Sequence, residues 1–151
     1  SLGSWTRAKI EMLIVGELHL RDAFDEFVKR EVYDTQHCQW QQHLRCYWRD
    51  ESSSACLSIL DAEFTYSNEY LGVFKRLVVT PLTSRCFMTL TQALTMHLGG
   101  ALTGASSAGK TETVKELGRQ LGKYVVLYNC SAQMSAEAVA ALLQGVALSG
   151  C

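Results

Sequence analysis

The run Gly104-Ala105-Ser106-Ser107-Ala108-Gly109-Lys110-Thr111 constrains this chain more than any other stretch. It fits the pattern G-x-x-x-x-G-K-[ST], in which a loop must leave a strand, wrap an anion and enter a helix. Each position has a physical task. Gly104 and Gly109 allow tight turns that bring backbone N–H groups to phosphate oxygens. The helix that follows adds the positive end of its dipole. Lys110 supplies a mobile point charge for the outer phosphates. Thr111 offers a hydroxyl to Mg²⁺. The loop interior lacks glycine, so Ser107 must adopt the required dihedrals less freely than glycine would.

A hydrolysing site of this kind also needs acids that hold the metal and orient water. The last aspartate is Asp61, and the only acids after the loop are Glu112, Glu116 and Glu137. Glu112 and Glu116 fall on the helix after the loop, and Glu137 opens a later one. Arg119 is the only arginine beyond the loop. The expected chemistry is therefore binding of ATP or ADP with Mg²⁺, and hydrolysis needs residues outside this chain.

The 151 residues carry 14 Lys+Arg against 15 Asp+Glu. That balance gives no electrostatic ground for a nucleic-acid partner or an anionic membrane. No apolar run approaches the ~18 residues of a membrane span. The start at Ser1-Leu2-Gly3, without methionine, reads as an excerpt of something longer or a processed product. Cys38, Cys46, Cys56, Cys86, Cys130 and Cys151 form no close pair, so free thiols are expected. Cys38, His43, Cys46 and Cys56 lack the spacing of a structural zinc site, and helical packing explains that stretch better.

Two segments are expected, residues 1–55 and residues 56–151. In the first, Ile10, Leu13, Ile14, Leu18, Phe24, Phe27 and Val28 recur at helical intervals and predict a helix over residues 6–32 with one buried face. Glu17, His19, Asp22, Asp25 and Glu26 then read as its solvated side. A second helix is predicted over residues 38–48, burying Trp40, Leu44, Tyr47 and Trp48. Residues 50–54 form a loop. In the second segment, residues 56–66 read as a strand and residues 77–79 as a short apolar run. Thr80 and Pro81 then cap a helix marked by Leu82, Phe87, Leu90, Leu94 and Leu98. Gly99-Gly100 stops it, with His97 favourable near its C-terminus. Residues 112–121 form the helix after the phosphate loop. Residues 124–128 read as a buried strand that lacks neighbours here, and residues 135–148 as a further helix.

These residues resemble a known family. Phe74-Lys75-Arg76-Leu77-Val78-Val79-Thr80-Pro81-Leu82-Thr83-Ser84-Arg85-Cys86-Phe87 is similar to the start of the first AAA+ module of dynein heavy chains. So are Gly109-Lys110-Thr111-Glu112-Thr113-Val114-Lys115-Glu116-Leu117-Gly118 and Tyr124-Val125-Val126-Leu127-Tyr128-Asn129-Cys130-Ser131. Trp40, Leu44-Arg45-Cys46-Tyr47-Trp48 and Glu69-Tyr70-Leu71-Gly72 resemble the end of the dynein linker. The resemblance implies a mixed α/β chain, with linker helices followed by an incomplete P-loop NTPase (AAA+) α/β subdomain. It implies that Leu77, Val78, Val79, Pro81 and Leu82 line the adenine, and that Gly104, Ala105, Ser106, Ser107, Ala108, Gly109, Lys110, Thr111 and Glu112 surround the phosphates and Mg²⁺. The implied partners are the rest of an AAA+ ring and, through the parent protein, microtubules and dynein light or intermediate chains. The implied setting is the cytoplasm and cytoskeleton, including the axoneme of a cilium or flagellum.

The departures are specific. The family usually has an acid where Ser84 stands, Pro-Ala-Gly-Thr inside the phosphate loop, and an aspartate at Ala132. A further acid is replaced near Ser135. These changes mark a divergent member and keep open an alternative, a non-catalytic dynein-like structural protein. A small P-loop kinase is the third reading, and the missing acids argue against it.

Overall fold

The computed structural model describes residues 3–150. Ser1, Leu2 and Cys151 lie outside the described residues. The architecture is a set of helices around one small antiparallel sheet.

The first helix, α1 (Ser4–Lys29), carries Arg7–Glu11 and Glu26–Arg30 ion pairs one turn apart, which support an exposed helix modestly. It ends when Glu31 takes φ 52° and the Val32 N–H reaches back to the Phe27 carbonyl at 3.0 Å. This is a left-handed C-terminal cap made without glycine. No residue of α1 is fully buried. The face predicted to be buried is largely exposed, including Leu13, Ile14, Leu18, Phe24 and Val28. The side turned toward the body instead carries Met12, Gly16, His19, Ala23 and Phe27. Periodicity reveals an apolar stripe, but which stripe is covered depends on what the helix meets. Here it meets a guanidinium, Arg76, seated against Gly16.

The helix predicted over residues 38–48 is a single turn, α2 (Cys38–Gln41), followed by strand β1 (Arg45–Arg49). The spacing of Trp40, Leu44, Tyr47 and Trp48 imitates a helical period. Aromatic residues that find a pairing strand favour the extended chain, and that preference wins here. Tyr47 and Trp48 are exposed on the ribbon rather than buried. Residues 56–66 likewise form two strands, not one. β2 (Ser54–Ile59) and β3 (Ala62–Thr65) pair antiparallel around a two-residue turn at Leu60-Asp61, with Leu60 at φ 51°. The register Arg45↔Ser58 and Cys56↔Thr65 makes a β1-β2-β3 meander. The β1–β2 hairpin runs across residue 55, so both expected segments contribute to one sheet.

Two helices cover this sheet, α3 (Pro81–Thr95) and α4 (Lys110–Gln120). The core is Leu57, Ile59, Phe87, Leu90, Leu117 and Leu121. Thr80 caps α3, its Oγ1 accepting from the Thr83 N–H at 3.3 Å, and Pro81 occupies the first turn. Thr80→Ala is expected to cost about 1 kcal/mol, measurable as a lower urea midpoint with an unchanged slope. Leu82, Leu94 and Leu98 are exposed, so only Phe87 and Leu90 of the predicted face reach the core. α3 ends at Thr95, ahead of Gly99-Gly100, because His97 itself takes the left-handed conformation (φ 56°) and the Leu98 N–H bonds the Ala93 carbonyl at 2.8 Å.

Residues 124–128 form no strand, and Tyr124, Val126, Leu127 and Tyr128 are exposed. A strand exists only through its ladder. Among the described residues no chain segment pairs with this one, nor with residues 77–79. The final helix, α5 (Ala136–Ser149), is capped by Ser135 and has no fully buried residue.

Candidate functional site

Residues 104–109 leave an irregular segment and feed directly into α4. Three positions in the loop have positive φ: Gly104 (156°), Ser107 (59°) and Gly109 (82°). These dihedrals bend the chain tightly between Gly104 and Gly109, as a loop that wraps a ligand must. Ser107 thus takes the left-handed form that the sequence reading required of it, at the modest cost a non-glycine residue bears there.

Gly109 is the residue preceding α4, and no side chain caps that helix. Its first-turn N–H groups therefore keep their affinity for an acceptor from outside the helix. The Lys110 ammonium is folded across the loop, donating to the carbonyls of Gly104 (2.9 Å) and Ala105. It thus lies against the backbone at the start of the loop. Thr111 is exposed on the first turn. Glu112 pairs with Lys115 at 2.8 Å, and that contact holds its carboxyl below the ordinary range. The residues present fit a polyphosphate. For Mg²⁺ they offer the Thr111 hydroxyl, and no group of three or more potential metal ligands is found among the described residues.

The segment carrying Leu77, Val78, Val79, Pro81 and Leu82 approaches α3 as extended chain. Val79 packs on the core, while Val78 and Leu82 are exposed. Val79 also lines a cavity of about 660 Å³ beneath α1, together with His19, Phe27, Trp40, His43 and Arg76. No residue of the phosphate loop lines that cavity. On its wall, Arg45 donates through Nη2 to Ser58 Oγ and the Leu60 carbonyl, while Arg45 Nε and Trp40 Nε1 are buried without a hydrogen-bond partner.

His19, read from sequence as solvated, turns inward. Its ring lies 6.4 Å from that of His43, which in turn meets Phe27 edge-on at 4.9 Å. Burial lowers the pKa of both, reinforced by Arg76 for His19 and by His19 for His43. A histidine whose folded pKa is depressed is held neutral by the fold. Its contribution is present above the unfolded pKa of about 6.5 and is lost as pH falls through and below that value. The melting midpoint is expected to drop between pH 7.5 and pH 5, and His43→Phe should flatten that part of the profile.

Sequence reasoning gave no role to Glu116, although its place beside Leu117 and one turn before Gln120 puts it on the inner stripe of α4. It is 2% exposed. Arg119 approaches at 3.4 Å, Gln120 donates at 3.4 Å, and Arg76 Nε stands at 4.0 Å. Arg119 also lies over the Phe74 ring, 4.8 Å from its centre.

A glycine-bounded loop, a lysine folded over it and an uncapped helix behind it are the features of the G-x-x-x-x-G-K-[ST] class of loop. Residues 66–151 match the family described as the hydrolytic ATP binding site of dynein motor region, and the chain belongs to the dynein heavy chain family. It is 45% identical over 149 residues to human dynein axonemal heavy chain 8, covering 99% of this chain and 3% of that protein. It is 46% identical over 149 residues to rat dynein axonemal heavy chain 5, covering 99% of this chain and 4% of the relative. The flagellar outer-arm dynein gamma chain of Chlamydomonas reinhardtii is 45% identical over 144 residues, covering 95% and 3%. The chain thus spans only a few hundredths of the length of these relatives.

Proposed function

We propose that this chain is an ATP-binding segment of a dynein-type microtubule motor heavy chain. The observation that carries the reading is the disposition of Lys110 across the loop at the uncapped start of α4. In this reading the N–H groups of residues 104–109 and the ammonium of Lys110 receive the phosphates. Glu112 borders that site, and Thr111 supplies one oxygen to Mg²⁺. Leu77, Val78, Val79, Pro81 and Leu82 face the adenine. The P-loop subdomain is completed by other parts of an AAA+ ring, against which residues 124–128 pair as a strand.

Hydrolysis draws its acids from outside this chain. Glu116 is buried among arginines, and Glu112 lies on an exposed turn of α4 paired with Lys115. The axonemal names of the relatives support placement in the cytoskeleton of a cilium or flagellum. Microtubules and dynein light or intermediate chains are then partners of the whole protein.

The test is a Mg-ATP and Mg-ADP titration followed by thermal unfolding. Ligand that binds only the folded state stabilises it by about 2.7 kcal/mol at a hundredfold excess over Kd, so the midpoint must climb with concentration. A cooperative melt that ignores both nucleotides would sink the reading. It would favour a non-catalytic dynein-like scaffold, for which Ser107 in the loop and Ala132 beyond it are the supporting substitutions.

A further inference from the structure

Arg76 immediately precedes the segment that carries the proposed adenine contacts, and Glu116 lies on the helix that begins at the phosphate loop. The two form an ion pair between those parts of the chain. Arg76 Nε is 4.0 Å from Glu116 Oε1, and the carboxylate is otherwise held by Arg119 and Gln120 within α4 itself. The carboxylate is buried, with Arg76, Arg119 and Gln120 as polar side chains against it. Arg76 is thereby drawn to one place on α4, although its own side chain remains 45% exposed. Its far end meets α1: a Cβ on Gly16 would stand 2.8 Å from Arg76 Nη1. On the other flank, Phe74 lies under Arg119. Residues 74 and 76 are thus both pinned to α4 through arginines, and the chain from residue 77 onward starts from a defined point relative to Lys110.

We propose that the Arg76–Glu116 pair is a positioning clasp that sets the spacing between the base-contacting segment and the phosphate loop. It touches neither base nor phosphate. It makes the two halves of the site bind one molecule together, so that adenine contacts add to phosphate contacts without a further ordering cost. This inference rests on the nucleotide-binding reading above.

The distinguishing measurement compares Mg-ATP with Mg-tripolyphosphate, which has the phosphates and no base. Arg76→Met is the main variant, because the partly exposed side chain can be shortened in charge without emptying the core. Glu116→Gln is the second, since it keeps the shape and the capacity to bond Arg119. For both, affinity for Mg-ATP is expected to fall about tenfold, while affinity for Mg-tripolyphosphate stays at the wild-type value. A parallel loss for both ligands would show a general structural role and overturn the clasp, as would no loss for either. Wild-type binding of tripolyphosphate with no gain from adenine would overturn the clasp alone. Wild-type indifference to both ligands would overturn the nucleotide reading and the clasp with it.

Discussion

Lys110→Ala is expected to weaken Mg-ATP binding by about a hundredfold and to abolish the nucleotide-dependent rise in melting midpoint at millimolar ligand. The ammonium makes charge-assisted hydrogen bonds, each worth roughly 1.5–3 kcal/mol when the partner is charged. About 2.8 kcal/mol corresponds to a hundredfold in affinity. In the free chain the same ammonium bonds the carbonyls of Gly104 and Ala105. Binding therefore exchanges neutral acceptors for phosphate oxygens, and only the difference is gained. Because these contacts are exposed, the alanine variant should lose little stability of its own. An unchanged midpoint without nucleotide and a flat response with it is the expected pair of results, read by thermal unfolding and by direct calorimetric titration. A variant that still responds fully would show that the loop backbone alone carries the affinity.

Gly122→Ala is expected to cost about 2–5 kcal/mol of folding stability, read as a large drop in the denaturant midpoint. Two effects add. Gly122 has φ +65°, where a side chain costs roughly 1–2 kcal/mol. A Cβ there would also stand 2.5 Å from Cε2 of Tyr66, and forcing extra atoms into packed surroundings costs typically 1–3 kcal/mol. The site matters for more than α4, which ends just before it. The Ser67 N–H bonds the Leu121 carbonyl at 3.2 Å and the Glu69 N–H bonds the Gly122 carbonyl at 3.0 Å. Residues 66–69, leading out of the sheet, are tied to the end of α4 at this point. If the variant melts like wild type, the Tyr66 ring has moved aside and the close approach is not a constraint.

Local chemistry was readable without coordinates wherever one residue decides the outcome. Thr80 and Pro81 start α3 through preferences that act within one turn, whereas α4 begins at Lys110, two residues before its expected start, and Ser135 caps α5 rather than opening it. The antiparallel sheet was not readable in the same way. Trp40, Leu44, Tyr47 and Trp48 keep a helical spacing, yet Trp40 sits in α2 and only pairing with residues 54–58 draws Tyr47 and Trp48 into β1. A short apolar run has no period long enough to separate the two states. His97 shows a smaller failure of the same kind. Glycine pairs usually mark a helix stop, yet a histidine two residues earlier took the left-handed position first.

The phosphate loop, its lysine, its helix and the family were determined by the sequence itself, because each depends on identities at fixed short spacings. Tertiary structure alone decided which face of α1 is covered, that His19 meets His43, and that Glu116 is buried between Arg76 and Arg119. These pairs lie 24 residues apart for the histidines and 40 for Arg76 and Glu116, and nothing in the local pattern announces them. The reason is physical. Loop geometry and helix caps are short-range steric and hydrogen-bond choices, whereas burial of a charge is settled only when distant segments arrive with its partners.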